Sequence, residues 1–139
     1  VAINYKEIDW VKQVLALTNG KGAEVIFESV GGEVLARSYR EALADFGRLV
    51  VYGVASGDVV KFDNYEILAS NKSLIGFWLG PHQVNHHDRV AAAKQRLIEM
   101  VQGGKIRLIV GETFPLERVA DAFEHLQGRK SMGKVVVTP

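Results

Sequence analysis

The sequence predicts an α/β fold built around a parallel, doubly wound sheet. Three short segments, residues 23–30, 48–53 and 73–79, have the apolar composition of buried strands. Segments with helical spacing of apolar residues separate them. Because helices that connect buried strands leave those strands parallel, we expect the three strands side by side in chain order.

The remaining elements of the first 80 residues follow from periodicity and glycine placement. Residues 1–5 alternate like a strand, and the helix that follows is expected to stop at Asn19 and Gly20. A second helix is predicted to end before Gly47. A Gly/Ser turn at residues 55–58 and a short helix around residues 65–68 precede the third buried strand. The predicted inward face of the second helix consists of Leu35, Tyr39, Ala42, Leu43 and Phe46.

The last third of the chain predicts a polar loop over residues 81–87 and a helix over residues 88–102. A strand over residues 108–110 is followed by a helix that starts within residues 113–117, has Pro115 in its first turn and stops at Gly128. A strand over residues 133–137 completes the chain. The residues expected to point inward from the two helices are Val90, Ala93, Leu97, Met100, Leu116, Val119, Phe123 and Leu126.

Composition indicates an ordinary globular domain. The chain has 139 residues, of which 47% are hydrophobic and 24% charged, and its net charge is +1. This balance gives no reason to expect nucleic acid or a membrane as a partner. The absence of cysteine excludes a disulfide scaffold and a thiolate nucleophile. No apolar run approaches the roughly 20 residues that cross a bilayer, so we expect a soluble intracellular domain.

The candidate binding segments are those that follow the buried strands, because ligands of open parallel sheets bind beyond the carboxyl ends of the strands. These segments are residues 28–32, 52–57 and 77–80, and two of them contain glycines where a main chain can approach a flat ligand closely. The alternative is that they are ordinary turns between strands and helices. No G-x-G-x-x-G follows a strand, so a pyrophosphate-binding loop is missing.

Few side chains suggest acid, base or metal chemistry. Glu28 follows a buried strand, and capping of the next turn is its expected role, with a functional hydrogen bond as the alternative. The hydroxyl of Tyr52 offers a donor, although packing explains this residue equally well. His82, His86 and His87 are expected to be solvated loop residues, and His125 is expected at the edge of the last helix. The sequence therefore predicts no metal site.

Four sequence blocks carry a family resemblance: AEVIFESVGGE, GRLVVYGVASG, SLIGFWLG and GKIRLIVGETFPLERVADAFEHLQGRKSMGKVVVTP. In order and spacing they resemble the medium-chain dehydrogenase/reductase superfamily, and within it the zinc-independent quinone oxidoreductase branch. The resemblance implies the C-terminal part of a Rossmann-type doubly wound parallel sheet plus a closing helix–strand–helix–strand segment. Residues 1–80 are then the second half of an NADP-binding domain, and residues 81–139 return to the substrate domain. The abrupt start is consistent with a longer protein.

The same resemblance implies a function. Members of this branch transfer hydride from NADPH to a quinone or an α,β-unsaturated carbonyl, and their catalytic residues are expected upstream of this chain. Residues 73–79 resemble the edge strand through which family members form homodimers. The family often has Asp in place of Glu28. The cofactor-contacting residues implied by the resemblance are Val51, Tyr52, Gly53, Val54, Ser56, Gly57, Phe77, Trp78 and Leu79.

Two alternatives remain open at the level of sequence. One is a nucleotide-binding or structural module without catalytic activity, and the other is an enoyl-thioester reductase. Because the pyrophosphate-binding half is missing, the isolated chain is expected to bind cofactor weakly and to be inactive. The expected location is the cytoplasm, with the mitochondrion as the alternative.

Overall fold

The computed structural model describes residues 1–128 and 131–139, and they form two compact units, Val1–His82 and Gln83–Pro139. The first unit contains the helices α1 (Trp10–Leu17), α2 (Gly32–Arg37) and α3 (Asn64–Ser70). Its strands are β1 (Ala23–Glu28), β2 (Leu43–Val51) and β3 (Ser73–Gly76). All three strands are parallel and lie in the order β1-β2-β3, which confirms the predicted order.

Helices cover one face of this sheet. Leu49 of β2 and Tyr39 are fully buried between the sheet and α2, and Leu35 and Leu43 complete the cluster. Burial of each such side chain stabilises the fold by roughly 1.5–3 kcal/mol. Alternation along the strands directs other side chains to the opposite face, where the side chain of Phe27 is 72% exposed. The apolar run in β2 predicts a strand covered on both faces, whereas the described residues of this unit cover only one.

The second helix ends earlier than the sequence predicts. After α2 the chain widens into a π-helical turn, Ser38–Ala42, and β2 begins at Leu43. The ammonium group of Lys72 donates to the carbonyls of Tyr39 (3.0 Å) and Arg40 (3.4 Å) and so closes this turn. Phe46 therefore belongs to β2, where its φ is 59° and it is 77% exposed. It does not belong to the inward face predicted for the second helix.

The predicted strand over residues 1–5 is wrong. The side chain of Asn4 accepts a hydrogen bond from the Lys6 amide, and the Asn4 carbonyl accepts one from the Glu7 amide. These bonds start a turn, and none of the described strands pairs with this segment. The helix that follows ends as predicted, because Asn19 and Gly20 adopt positive φ values of 53° and 78°.

The boundary between the two units falls within α4 (Leu79–Asn85), where the sequence predicts strand and loop. Strand β3 ends at Gly76, not at residue 79. Pro81 is the third residue of α4, a position where its missing amide costs little because the first amides of a helix have no intrahelical acceptor. The predicted polar loop over residues 81–87 is therefore helical over most of its length.

The second unit contains α5 (His87–Gln102), α6 (Val119–Gln127) and a parallel pair of strands, β4 (Val110–Pro115) and β5 (Lys134–Thr138). The predicted strand over residues 108–110 is displaced, because pairing with β5 selects residues 110–115. A 3₁₀ turn, Leu116–Arg118, then precedes α6. The helix α5 and the last strand are confirmed. The helix α6 is also present, but it begins at Val119 and not within residues 113–117, because pairing with β5 places Pro115 at the end of β4 and not in the first turn of the helix.

The inward residues predicted for α5 and α6 are largely exposed. Leu97, Phe123 and Leu126 are 53%, 61% and 51% exposed, and Ala122 is the buried residue of α6. Two strands offer too little surface to cover the apolar sides of these helices. Within the described residues, no helix is both long enough and apolar enough to span a membrane.

Candidate cofactor-binding site

The carboxyl ends of the three parallel strands of the first unit are joined by hydrogen bonds that continue beyond the strands. The Tyr52 amide donates to the Glu28 carbonyl (2.9 Å), and the Phe77 amide donates to the Val51 carbonyl (2.8 Å). The residue that follows β2 and the residue that follows β3 are thereby fixed on neighbouring strand ends. This is the edge of a parallel sheet at which ligands bind.

A pocket of about 510 Å³ lies at this edge. Six of the nine residues predicted to contact cofactor line it, and the structure thus brings together Val51, Tyr52, Gly53, Val54, Phe77 and Trp78. Ser56, Gly57 and Leu79 lie outside its lining, and Leu79 instead begins α4.

Gly76 completes the lining and is absent from the predicted set. A side chain at this residue would meet no atom within 4 Å of its Cβ, so the main chain at the end of β3 is open to a ligand. The pairing of β2 with β3 identifies Gly76 as a lining residue, because Gly76 lies directly beside Val51.

The loop over residues 52–57 rests on the turn that follows β1. The amides of Ala55 and Ser56 donate to the carbonyls of Ser29 (2.9 Å) and Val30 (2.7 Å). Gly53 approaches Ser29 so closely that a Cβ at Gly53 would lie 3.0 Å from the Ser29 carbonyl oxygen. The amide of Gly57, whose φ is +80°, donates to the Val54 carbonyl and closes the predicted Gly/Ser turn.

Glu28 caps the turn after β1, as the sequence predicts. Its side chain is buried, with the residue 4% exposed, and Oε1 accepts hydrogen bonds from the amides of Val30 (2.7 Å) and Gly31 (3.1 Å). Oε2 lies 3.2 Å from the Gly31 amide. The carboxylate does not line the pocket, so its role is to hold the main chain.

Aromatic side chains form the walls around the pocket. Tyr52 and Phe77 also line a second, apolar cavity of about 390 Å³ together with Phe27 and Val50. The ring of Phe77 stacks on the imidazole of His82 at a centroid distance of 4.9 Å. Flat apolar walls beside an open main chain suit a planar ring with an amide substituent. None of the residues lining the pocket carries a carboxylate, ammonium, guanidinium or imidazole group, and the phenol of Tyr52 is the titratable group in the lining.

Two of the histidines occupy positions other than those expected, whereas His86 is exposed between α4 and α5, and His125 is partly exposed on the last helix, as the sequence predicts. His82 lies in α4 and not in a loop, and His87 is the first residue of α5. The imidazole of His125 lies beside the ring of Phe114, with 5.8 Å between the ring centroids, and its Nε2 is buried without a hydrogen-bond partner among the described residues.

Comparisons with known proteins were made against family models, curated proteins and solved structures. A family model described as zinc-binding dehydrogenase matches residues 1–137. Quinone oxidoreductase-like protein 2 of Rattus norvegicus is 35% identical over 138 residues, which cover 98% of this chain and 39% of the relative. A 2-haloacrylate reductase of a Burkholderia species is 30% identical over 141 residues, covering 99% of this chain and 41% of the relative. The chain thus spans about two-fifths of the length of these curated relatives.

Solved structures show the same architecture. A quinone oxidoreductase from Pseudomonas syringae pv. tomato DC3000 has a TM-score of 0.83 and 26% identity, covering 97% of this chain and 41% of that chain. This likeness confirms the predicted fold class, a mixed α/β architecture with parallel sheets.

The family description names zinc, but the residues of this chain do not fit a zinc site. Biological zinc sites are built from cysteine, histidine and carboxylate ligands that converge from separate elements. The sequence contains no cysteine. Within residues 1–128 and 131–139, no three histidine or acidic side chains lie close enough together to hold a metal ion.

Proposed function

We propose that this chain, which belongs to the zinc-binding dehydrogenase family, supplies the nicotinamide-facing wall of an NADPH-dependent reductase. The premise is this membership together with the resemblance to quinone oxidoreductase-like relatives. In this proposal residues 1–80 are the second half of the dinucleotide-binding domain, and residues 81–139 lead back to a substrate domain. The full-length enzyme transfers hydride to a quinone or an α,β-unsaturated carbonyl and uses no zinc.

The pocket at the carboxyl ends of β2 and β3 is the observation that carries this proposal. It joins main chain at Gly53 and Gly76 to the aromatic side chains of Tyr52, Phe77 and Trp78. A nicotinamide ring needs one flat apolar wall and main-chain partners for its carboxamide, and these residues offer both. When bound, the reduced nicotinamide supplies the hydride. The chain's own residues orient the ring and exclude water from one side of it.

The substrate class is supported by the relatives. One is named for quinone oxidoreductases and the other for reduction of 2-haloacrylate, an α,β-unsaturated acid. Both substrates accept hydride at an activated carbon–carbon double bond or at a quinone ring. We place this protein in the same class.

The test is an assay of the full-length protein with NADPH and NADH against a panel of quinones, enones and enoyl thioesters. Oxidation of NADPH that depends on a quinone or an enone is expected. Activity limited to enoyl thioesters favours the enoyl-thioester alternative, and absence of turnover together with tight nucleotide binding favours a binding module. Titration of the isolated chain with NADPH is expected to show weak binding, and micromolar affinity would contradict that expectation.

Homodimer formation through the β3 edge is part of the same proposal. Strand β3 lies at the edge of its sheet, where its outer hydrogen-bonding groups are available to a second copy. Sedimentation of the full-length protein tests this: a dimer is expected, and a protein that stays monomeric at micromolar concentration would contradict this part of the proposal.

A further inference from the structure

Glu28 is a buried carboxylate to which the proposed reaction gives no role. Burial of a carboxylate is costly unless its charge is satisfied by hydrogen bonds or by an opposite charge. None of the ion pairs formed by the described residues includes Glu28, and its acceptor oxygens are met by main-chain amides. The burial of this charge therefore depends on the shape of the turn that supplies these amides.

We propose that Glu28 is a positioning residue that sets the loop over residues 52–57 through the turn after β1, and this inference rests on the proposed function. Its carboxylate fixes the amides of Val30 and Gly31 within 2.7–3.2 Å. Gly31 has a φ of +81°, which glycine adopts readily among many other conformations, so the bonds from its amide to the carboxylate select one of them.

The turn transmits this constraint to the loop through the carbonyls of Ser29 and Val30. These carbonyls accept from the amides of Ala55 and Ser56 at 2.9 and 2.7 Å. The Gly32 amide adds a bond to the Asp58 carbonyl at 3.2 Å. Rotation of the peptide units between Glu28 and Gly31 therefore moves the carbonyls of Ser29 and Val30, which accept from the loop. It also shifts the adjoining amide of Gly32, which donates to Asp58.

Close packing makes this coupling stiff. A Cβ placed on Gly31 would lie 3.0 Å from Cγ1 of Val54 and 3.1 Å from Oγ of Ser56, so turn and loop have no space between them. The main-chain carbonyl of Glu28 also accepts from the Tyr52 amide. One residue thus anchors the first residue of the loop by its main chain and the body of the loop by its side chain.

The test compares Glu28→Gln with Glu28→Met in the full-length protein. The two replacements match in length and volume, but only glutamine retains an acceptor for the Val30 and Gly31 amides. We expect Glu28→Met to raise the KM for NADPH about tenfold, the effect of losing hydrogen bonds to a charged group. We expect a smaller change in kcat, and we expect Glu28→Gln to stay within about threefold of the natural protein.

A second measurement requires no activity. Hydrogen exchange of the Ala55 and Ser56 amides is expected to accelerate in Glu28→Met and to stay slow in Glu28→Gln, because only the former frees the turn. Glu66→Met is the matched control: Glu66 also holds hydrogen bonds through its carboxylate, but its partner is Arg40, and neither residue lines the pocket. Its KM for NADPH and its Ala55 exchange are expected to be unchanged. Should Glu28→Met fail to fold, Glu28→Ala, which lets water reach the amides, takes its place.

The outcomes separate the two proposals. If the natural protein neither binds nor oxidises NADPH, the proposed function fails, while the exchange data still decide the role of Glu28. If the natural protein is active and Glu28→Met keeps both its KM and slow exchange, the positioning role is overturned. Equal impairment of the Gln and Met variants also overturns it, because the effect would then not depend on the acceptor.

Discussion

The main chain of Gly53 lies so close to Ser29 that a methyl group on Gly53 would be 3.0 Å from the Ser29 carbonyl oxygen and 3.1 Å from its Cβ. The loop after β2 and the turn after β1 therefore meet without an intervening side chain. This contact, together with the bond from the Ala55 amide to the same carbonyl, fixes the height of the loop above the sheet.

Replacement of Gly53 by alanine tests this contact. The added methyl group must push the loop away from Ser29, so we expect Gly53→Ala to lower the free energy of unfolding by roughly 1–3 kcal/mol, as overpacking does. Gly76→Ala is the control, since its methyl group meets nothing within 4 Å. Denaturant unfolding of both variants measures the difference, and equal stabilities would show that the loop gives way freely.

Replacement of Gly76 by valine separates stability from binding. Valine suits a strand and has space at this residue, so thermal stability is expected to hold or rise. Gly76 is part of the pocket lining beside Val51, so a side chain there would take up space that the open main chain leaves to a ligand, and NADPH affinity of the full-length protein is expected to fall at least tenfold. Calorimetric titration measures this, and unchanged affinity would place the nicotinamide elsewhere.

The sequence predicts the first sheet well because its strand order depends on local signals. Glycines, apolar runs and helical connections are sufficient to place β1, β2 and β3 in parallel. The same local rule, that ligands bind where strands end, leads to residues such as Tyr52 and Phe77. This rule does not identify Gly76, because Gly76 lies inside the predicted strand. Its pairing with Val51 in the structure places it in the lining.

The errors arise where a distant residue decides the local structure. Continued helical periodicity assigns Phe46 to a helix, but Lys72, more than 30 residues from Tyr39, closes that helix at the π turn. The start of β4 depends likewise on pairing of Val110 with Lys134. A local sequence pattern shows neither of these distant partners. The prediction therefore gives the types of these elements correctly but misplaces their boundaries.

Tyr39 is expected to stabilise the first unit through its hydroxyl as well as its ring. The hydroxyl lies 3.1 Å from Oγ of Ser70, and the ring packs edge-on against Phe62 with centroids 4.8 Å apart. Tyr39→Phe keeps the ring contact and removes the hydrogen bond, so a loss of about 1 kcal/mol is expected. Tyr65→Phe alters a residue that is 74% exposed and is expected to change nothing measurable. Chemical denaturation of the two variants is the measurement.

Lys72 is expected to contribute more to the stability of the fold than an ordinary surface lysine does, because its ammonium group donates to two carbonyls at the end of a helical turn. Main-chain carbonyls at such an end carry partial negative charge and lack intrahelical donors. Lys72→Met keeps the aliphatic stem but leaves the Tyr39 and Arg40 carbonyls without this donor, so we expect a loss of about 1 kcal/mol in stability. Lys61→Met, at an exposed residue, is the control and is expected to have no effect beyond a few tenths of a kcal/mol. Equal unfolding midpoints for the two variants would show that the π turn closes without Lys72, and the early end of the second helix would then need another cause.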